Sequence, residues 1–199
     1  MKKRIIAFDL DGVLCDLVPG FCKVIKELTG HELQPHEWVR YDQFQDHNLT
    51  FDQCHQGLID HNVLEDAHIP THIADALRAL WQLGYELAII TKRGWHPQGK
   101  VITETILDIA GLHFTYLFVI GINESKIPAL QYLQSKGQVM AFVEDHTDTL
   151  HEASSVFDDI HLIVRDQPWN RHCNLYPRIV CASEILTYPN LALSRGAST

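Results

Sequence analysis

Two carboxylates one residue apart close a short apolar run near the start of the chain, where Ile5-Ile6-Ala7-Phe8 leads into Asp9-Leu10-Asp11-Gly12. An Ile-rich run of that length suits a strand buried on both faces. In open parallel sheets the reacting groups sit just past the carboxyl ends of such strands. Side chains at i and i+2 project the same way, so Asp9 and Asp11 can share one small substrate or one cation. Asp11-Gly12 between apolar residues is also a type I′ hairpin signal, and this segment alone leaves both readings open.

A second acidic group follows another apolar run, in Phe142-Val143-Glu144-Asp145-His146-Thr147-Asp148. Neighbouring carboxylates repel when unpaired, and a cation held between Asp9 and this loop accounts for both sets. Asp148 can join that cation or cap the helix that follows. Asn123 is a good cap residue and places Lys126 at the third helical position. Backbone N–H groups already favour anions there, and a lysine adds a point charge against the preference of the helix dipole. Such a local conflict hints at function.

Positioning these groups requires a layered scaffold. From Pro70 onward, helical periodicities alternate with short apolar strands. A helix capped by Thr71 buries Ile73, Leu77, Leu80 and Trp81 and closes at Gly84. Then come a strand over Glu86–Thr91, a helix over Gln98–Ala110 and a strand over Tyr116–Ile120. A helix over Glu124–Ser135, a strand over Val139–Val143, a helix over Thr147–Ser155 and a strand over His161–Val164 follow, with an edge strand at Arg178–Cys181. This alternation predicts an α/β fold with a Rossmann-like, three-layer parallel sheet. Residues 17–70 have a different texture, polar and dotted with histidines and aromatics. One helix is expected over Pro19–Leu28 and shorter ones over Pro35–Phe44 and Phe51–Asp60. The chain therefore divides into a core of residues 1–16 and 71–199 and a small helical insert, 17–70, after the first strand. The tail after Thr187 reads as loosely ordered.

Asp9-Leu10-Asp11-Gly12-Val13 resembles the first motif of the haloacid dehalogenase (HAD) superfamily of phosphohydrolases. The resemblance implies that Asp9 attacks phosphorus and that Asp11 is the acid/base. A carboxylate nucleophile can form an acyl-phosphate, which splits one hard displacement into two. A second carboxyl two residues on can protonate the leaving oxygen and then activate water. Neither acid approaches a phosphate dianion unaided, so the site calls for a hard cation with oxygen ligands, Mg²⁺. On the same resemblance Thr91, at the end of Ile89-Ile90-Thr91, bonds a phosphoryl oxygen, and Lys126 is the family's motif lysine, with Lys92 as a further phosphate contact. Asp145, with Glu144 beside it, joins Asp9 and Asp11 as metal ligands. The insert matches the helical cap that many HAD phosphatases carry at this point.

Within the superfamily, Glu144-Asp145-His146-Thr147-Asp148 is similar to the acidic loop of the 5′(3′)-deoxyribonucleotidase branch. Asp166-Gln167-Pro168-Trp169-Asn170-Arg171 is similar to an aromatic Pro-x-Asn segment of that branch, which would bring Asn170 and Arg171 to the site mouth. Trp38 and Phe44 in the insert can stack a base or fill the insert's core, and Arg93 can contact substrate or solvent. Lys92-Arg93-Gly94-Trp95 departs from the branch pattern. The expected activity is Mg²⁺-dependent hydrolysis of small phosphomonoesters, nucleoside monophosphates first. The alternatives are a phosphosugar phosphatase or phosphomutase of the same superfamily, and a non-catalytic ligand-binding protein on this scaffold.

Composition bounds the partners. The 199 residues are 46% hydrophobic, and 16 basic against 25 acidic residues give a formal net charge of −9. That balance argues against wrapping a nucleic acid polymer and gives no membrane-surface signal. Met1-Lys2-Lys3-Arg4 imitates the start of a signal peptide, but Asp9 and Asp11 interrupt the apolar stretch too early. The 5 cysteines form no Cys-x-x-Cys pair and read as reduced thiols, and the 13 histidines show no zinc-ligand spacing. The expected location is cytoplasmic.

Overall fold

Ile5–Phe8 is the middle of a parallel sheet because it has apolar side chains for both faces. The computed structural model describes residues 2–188, so the tail from residue 189 lies outside the described residues. The sheet runs β3-β2-β1-β4-β5-β6, with every pairing parallel. Its strands are β1 (Arg4–Phe8), β2 (Tyr85–Thr91), β3 (Tyr116–Val119), β4 (Gln138–Glu144), β5 (His161–Arg165) and β6 (Arg178–Ile179). The helices are α1 (Val18–Thr29), α2 (Phe51–Asp60), α3 (Thr71–Gln82), α4 (Gly99–Ile109), α5 (Ile127–Lys136) and α6 (Thr147–Ser154).

Strand alternation sorts the core into two layers. Ile6 and Phe8 of β1 pack with Leu87 and Ile89 of β2 against Ile73, Leu77 and Ile106 of α3 and α4. Ile5 and Ala7 face the other way, with Ile90, Phe142, Leu130 and Leu150, against α5 and α6. Helices thus cover both faces, as the alternating pattern predicts. The chain leaves β1 toward β2 on one side and returns to β4 on the other. That reversal opens a crevice at the carboxyl ends of β1 and β4, where open α/β sheets bind ligands.

Between β1 and α3, residues 17–70 hold α1, α2 and two short 3₁₀ turns, Pro35–Glu37 and Gln43–His47. The continuous helix expected over Pro35–Phe44 is absent. Trp38 leaves the first turn with extended backbone, and Gln43 instead bonds the backbone of Val39 and Glu37. Cys22, Ile25, Leu33, Trp38, Phe44, Leu49 and Cys54 form a separate apolar cluster in this segment. Two helix starts also differ from the sequence reading. Thr71 is the first residue of α3 and makes no capping bond. The fifth helix starts at Ile127 rather than Glu124, because Pro128 is tolerated only in a first turn, where its missing N–H is not needed. No helix among the described residues is long and apolar enough to cross a membrane.

Candidate active site

Asp9 follows β1 directly, and its N–H donates to the Val143 carbonyl at 2.9 Å, which extends the β1–β4 pairing into the crevice. The next residues form a tight turn in which Gly12 N–H reaches the Cys15 carbonyl at 2.8 Å. This turn leads toward α1, not into an antiparallel strand, so the hairpin reading of Asp11-Gly12 fails. Gly12 has φ +79°, and a Cβ there would lie 2.5 Å from Asp145 Oδ2. Both the backbone and the neighbouring carboxylate therefore require glycine.

Asp9, Glu144 and Asp145 are buried together, with one ligand oxygen from each within 4.8 Å of the others. Lys126 Nζ lies 2.7 Å from both Asp9 Oδ1 and Glu144 Oε2. Lys126 is the residue before α5, not its third position, and Asn123 does not cap that helix. The cradle holds three acids against one cation. Burial, reinforced by the charge of Glu144, pushes the Asp9 carboxyl up to about 8. Asp145 is raised for the same reasons. Burial also acts to raise Glu144, but the Lys126 charge and N–H bonds outweigh it and hold the carboxyl low. An all-oxygen donor set with excess negative charge fits a hard divalent cation. Asp11 is not part of this cluster, contrary to the expected ligand set. Both of its oxygens accept from Arg93, with Nε–Oδ2 at 2.9 Å and Nη2–Oδ1 at 2.6 Å. Asp148 is exposed in the first turn of α6 and is likewise outside the cluster.

Thr91 ends β2 beside this cradle. Its Oγ1 is buried without a hydrogen-bond partner among the described residues, although Thr91 lines the cavity. A buried hydroxyl left unsatisfied is costly, and a phosphoryl oxygen in the cavity would satisfy it. The cavity has a volume of about 440 Å³, and Asp9, Asp11, Lys92, Lys126, Glu144 and Asp145 are on its floor. Phe21, Trp38, Tyr41, Phe44, Trp95 and Trp169 contribute aromatic wall.

The other expected substrate residues separate by position. Trp38 and Phe44 reach the cavity but are almost fully buried in the insert's apolar cluster. Arg93 is wholly buried on Asp11 and does not line the cavity. Asn170 is scaffold: its Nδ2 donates to the carbonyls of Asp145 at 2.8 Å and Arg165 at 2.7 Å. Arg171 points outward and pairs with Asp166 at 3.0 Å. Sequence reasoning missed Trp169, whose Nε1 donates to Asp145 Oδ2 at 3.0 Å from the cavity wall. The Pro at its N-side marked a turn, but nothing local marked its partner. Tyr41 links the insert to this loop, meeting His146 in a tilted contact at 4.5 Å and Trp169 edge-on at 6.4 Å.

No protein-family model matches the chain, and no curated protein matches it. Solved structures do. A haloacid dehalogenase-like family hydrolase from Streptococcus pneumoniae aligns with TM-score 0.63 at 16% identity, over 94% of this chain and 98% of its own. A protein from Haemophilus somnus assigned as a phosphoglycolate phosphatase aligns with TM-score 0.61 at 18% identity, with the same coverage of both chains. One from Thermotoga maritima assigned as a β-phosphoglucomutase aligns with TM-score 0.60 at 17% identity, over 92% of this chain and 97% of its own. At these identities the likeness is one of fold. The fold is one that this chain shares with haloacid dehalogenase-like hydrolases.

Proposed function

We propose that the chain is a Mg²⁺-dependent phosphatase of small phosphorylated metabolites that works through a phosphorylated Asp9. The observation that carries this is the convergence of Asp9, Asp11, Lys126, Glu144 and Asp145 on one cavity floor beside the unpartnered hydroxyl of Thr91. In this reading one Asp9 oxygen attacks phosphorus as the ester oxygen leaves with a proton from Asp11. Asp11 then takes a proton from the water that cleaves the acyl-phosphate, releasing phosphate and restoring Asp9. Thr91 Oγ1 donates to a phosphoryl oxygen, and Lys126 holds Asp9 in line. A Mg²⁺ held by Asp9, Glu144 and Asp145 would neutralise charge on the transferring group. Assays of the purified protein over a panel of phosphorylated metabolites, with and without Mg²⁺, test the reading. Silence across the panel, or full activity in excess chelator, overturns it.

The assigned activities of the structural neighbours favour a phosphosugar or phosphoglycolate over a nucleotide, and a phosphatase or phosphomutase of that kind. The wall speaks for a nucleoside monophosphate. Residues 17–70 line the cavity with aromatic and apolar side chains, Asp52 and His55 but with no lysine or arginine, and burial lowers the His55 imidazole, so a carboxylate such as that of phosphoglycolate meets no fixed cation from that side. Tyr41 and Phe51 keep 47% and 45% of their surface exposed, enough to stack on a base. Tyr41→Ala is expected to lower kcat/KM for nucleoside monophosphates by roughly 5- to 150-fold, the worth of one stacked base, while sparing a phosphosugar. Equal losses on both substrates would remove the nucleotide reading. Trp38→Ala and Phe44→Ala are expected instead to destabilise the fold by about 3–5 kcal/mol, because both rings fill the insert's core.

Metal binding has its own signature. Asp9 and Asp145 carry raised carboxyls, so protons must leave before a cation enters. A carboxyl raised on folding stabilises fully below its unfolded value, and that contribution is lost as pH rises through about 8 for Asp9. Added Mg²⁺ should therefore raise the thermal midpoint more at about pH 8 than at about pH 6, and Asp145→Ala should abolish the shift. A shift independent of pH, or one retained in the variant, would count against this site.

A further inference from the structure

Asp9 and Asp11 are each supplied with a cation from the segment after a different strand. Lys126, from beyond β3, serves Asp9; Arg93, from the turn after β2, serves Asp11 across 82 residues of sequence. The guanidinium is 0% exposed and absent from the cavity wall, whereas Asp11 is on that wall with 28% of its side chain exposed. Arg93 is thus screened from any substrate by the carboxylate it holds. We propose that Arg93 is the positioning residue of the acid/base: its planar fork sets the direction in which Asp11 faces the cavity. This rests on the role given to Asp11 above.

The turn that carries Arg93 is fixed from several sides. Gly94 N–H donates to the Ile120 carbonyl at 2.9 Å, and His96 N–H donates to the Arg93 carbonyl at 3.1 Å. A Cβ on Gly94 would lie 2.6 Å from Ile120 O, and one on Gly99 would lie 2.1 Å from Arg93 O. The backbone around Arg93 is therefore packed too closely to shift, and the fork arrives at Asp11 pre-oriented. A carboxylate has about four lone-pair directions, so two N–H bonds leave capacity on the cavity side. Lysine cannot replace this geometry, because an ammonium is a point charge that fixes no plane. The sequence that departs from the nucleotidase pattern, Lys92-Arg93-Gly94-Trp95, acquires a reason here.

The test is a double-mutant cycle with Arg93→Met, Arg93→Lys and Asp11→Asn. Turnover is read on an alkyl phosphate, and single-turnover release is read on 2,4-dinitrophenyl phosphate, whose leaving oxygen needs no proton. Arg93→Met should lower kcat on the alkyl ester roughly 100-fold, the effect of a misdirected catalytic group, with KM changed less than about 3-fold. The loss on the dinitrophenyl ester should be far smaller, and Arg93→Lys should remain impaired. In the Asp11→Asn background, Arg93→Met should add almost nothing, since it acts only through that carboxyl. Additive losses, equal losses on the two esters, or a raised KM at unchanged kcat would overturn the proposal. If Arg93→Met does not fold, Arg93→Lys and Arg93→Gln carry the same cycle. A wild-type protein inactive on every phosphomonoester would instead overturn the phosphatase reading, before any variant is compared.

Discussion

Asp9→Asn is expected to reduce turnover by roughly four orders of magnitude or more, the scale of loss when a covalent nucleophile is removed. An amide does not form the acyl-phosphate, while its oxygen still accepts from Lys126 in the same place. The fold should survive and even gain. Three buried acids face one lysine here, and the Asp9 carboxyl is already pushed up to about 8 by burial and by Glu144. Replacing it with a neutral isostere relieves that repulsion, so the metal-free variant should melt higher than wild type, most clearly at about pH 8. Sites arranged for chemistry commonly sacrifice stability in this way. The measurement pairs turnover with thermal denaturation in chelator. Near-normal turnover would refute the covalent scheme, and a lower midpoint would refute the account of charge crowding.

Lys126→Met is expected to cost both stability and activity. The ammonium lies 2.7 Å from each of two carboxylates and is itself buried. Removing one partner of a buried charged cluster leaves the others uncompensated, at about 3–5 kcal/mol. Without the lysine, the Asp9 carboxyl rises further in the folded state and the Glu144 carboxyl loses the charge that holds it low. The sign follows from linkage: a raised carboxyl stabilises below its unfolded value and loses that contribution as pH climbs. The deficit should therefore be large at about pH 8 and shrink toward about pH 5, where the acids take up protons. Denaturant titrations at the two pH values read this directly. An equal deficit at both would mean that Lys126 matters through its packing on Phe142, whose ring centre is 5.9 Å from Nζ.

Much of this architecture is local and so legible in residue order. Ile5–Phe8, Leu87–Ile90 and Val139–Val143 carry apolar side chains at successive positions over short, Ile- and Val-containing runs, which suits a strand buried on both faces. Helix periodicity marks α3 through α6 because each must cover that sheet with one face. The acids of Asp9, Glu144 and Asp145 and the hydroxyl of Thr91 stand at strand ends, and that position is itself a local signal. The misplaced start of α5 was local too: Pro128 marks it, and the cap signal of Asn123 obscured it.

The pairings inside the site are a different matter. Strand order places β2 and β4 on either side of β1, and that order alone brings Arg93 to Asp11, and Glu144 with its Lys126 to Asp9. Arg93 in sequence is one basic residue in a polar loop, equally suited to solvent, substrate or a buried acid. Arg171 has the same chemistry and ended on the surface beside Asp166, while Asn170 turned inward to bond the Asp145 backbone. By itself the sequence determined which residue types stand at the ends of which strands, because burial periodicity is written in neighbouring positions. Which charge meets which was decided only by the tertiary structure, because a contact across 82 residues leaves no periodic trace and depends on how the strands are ordered in the sheet.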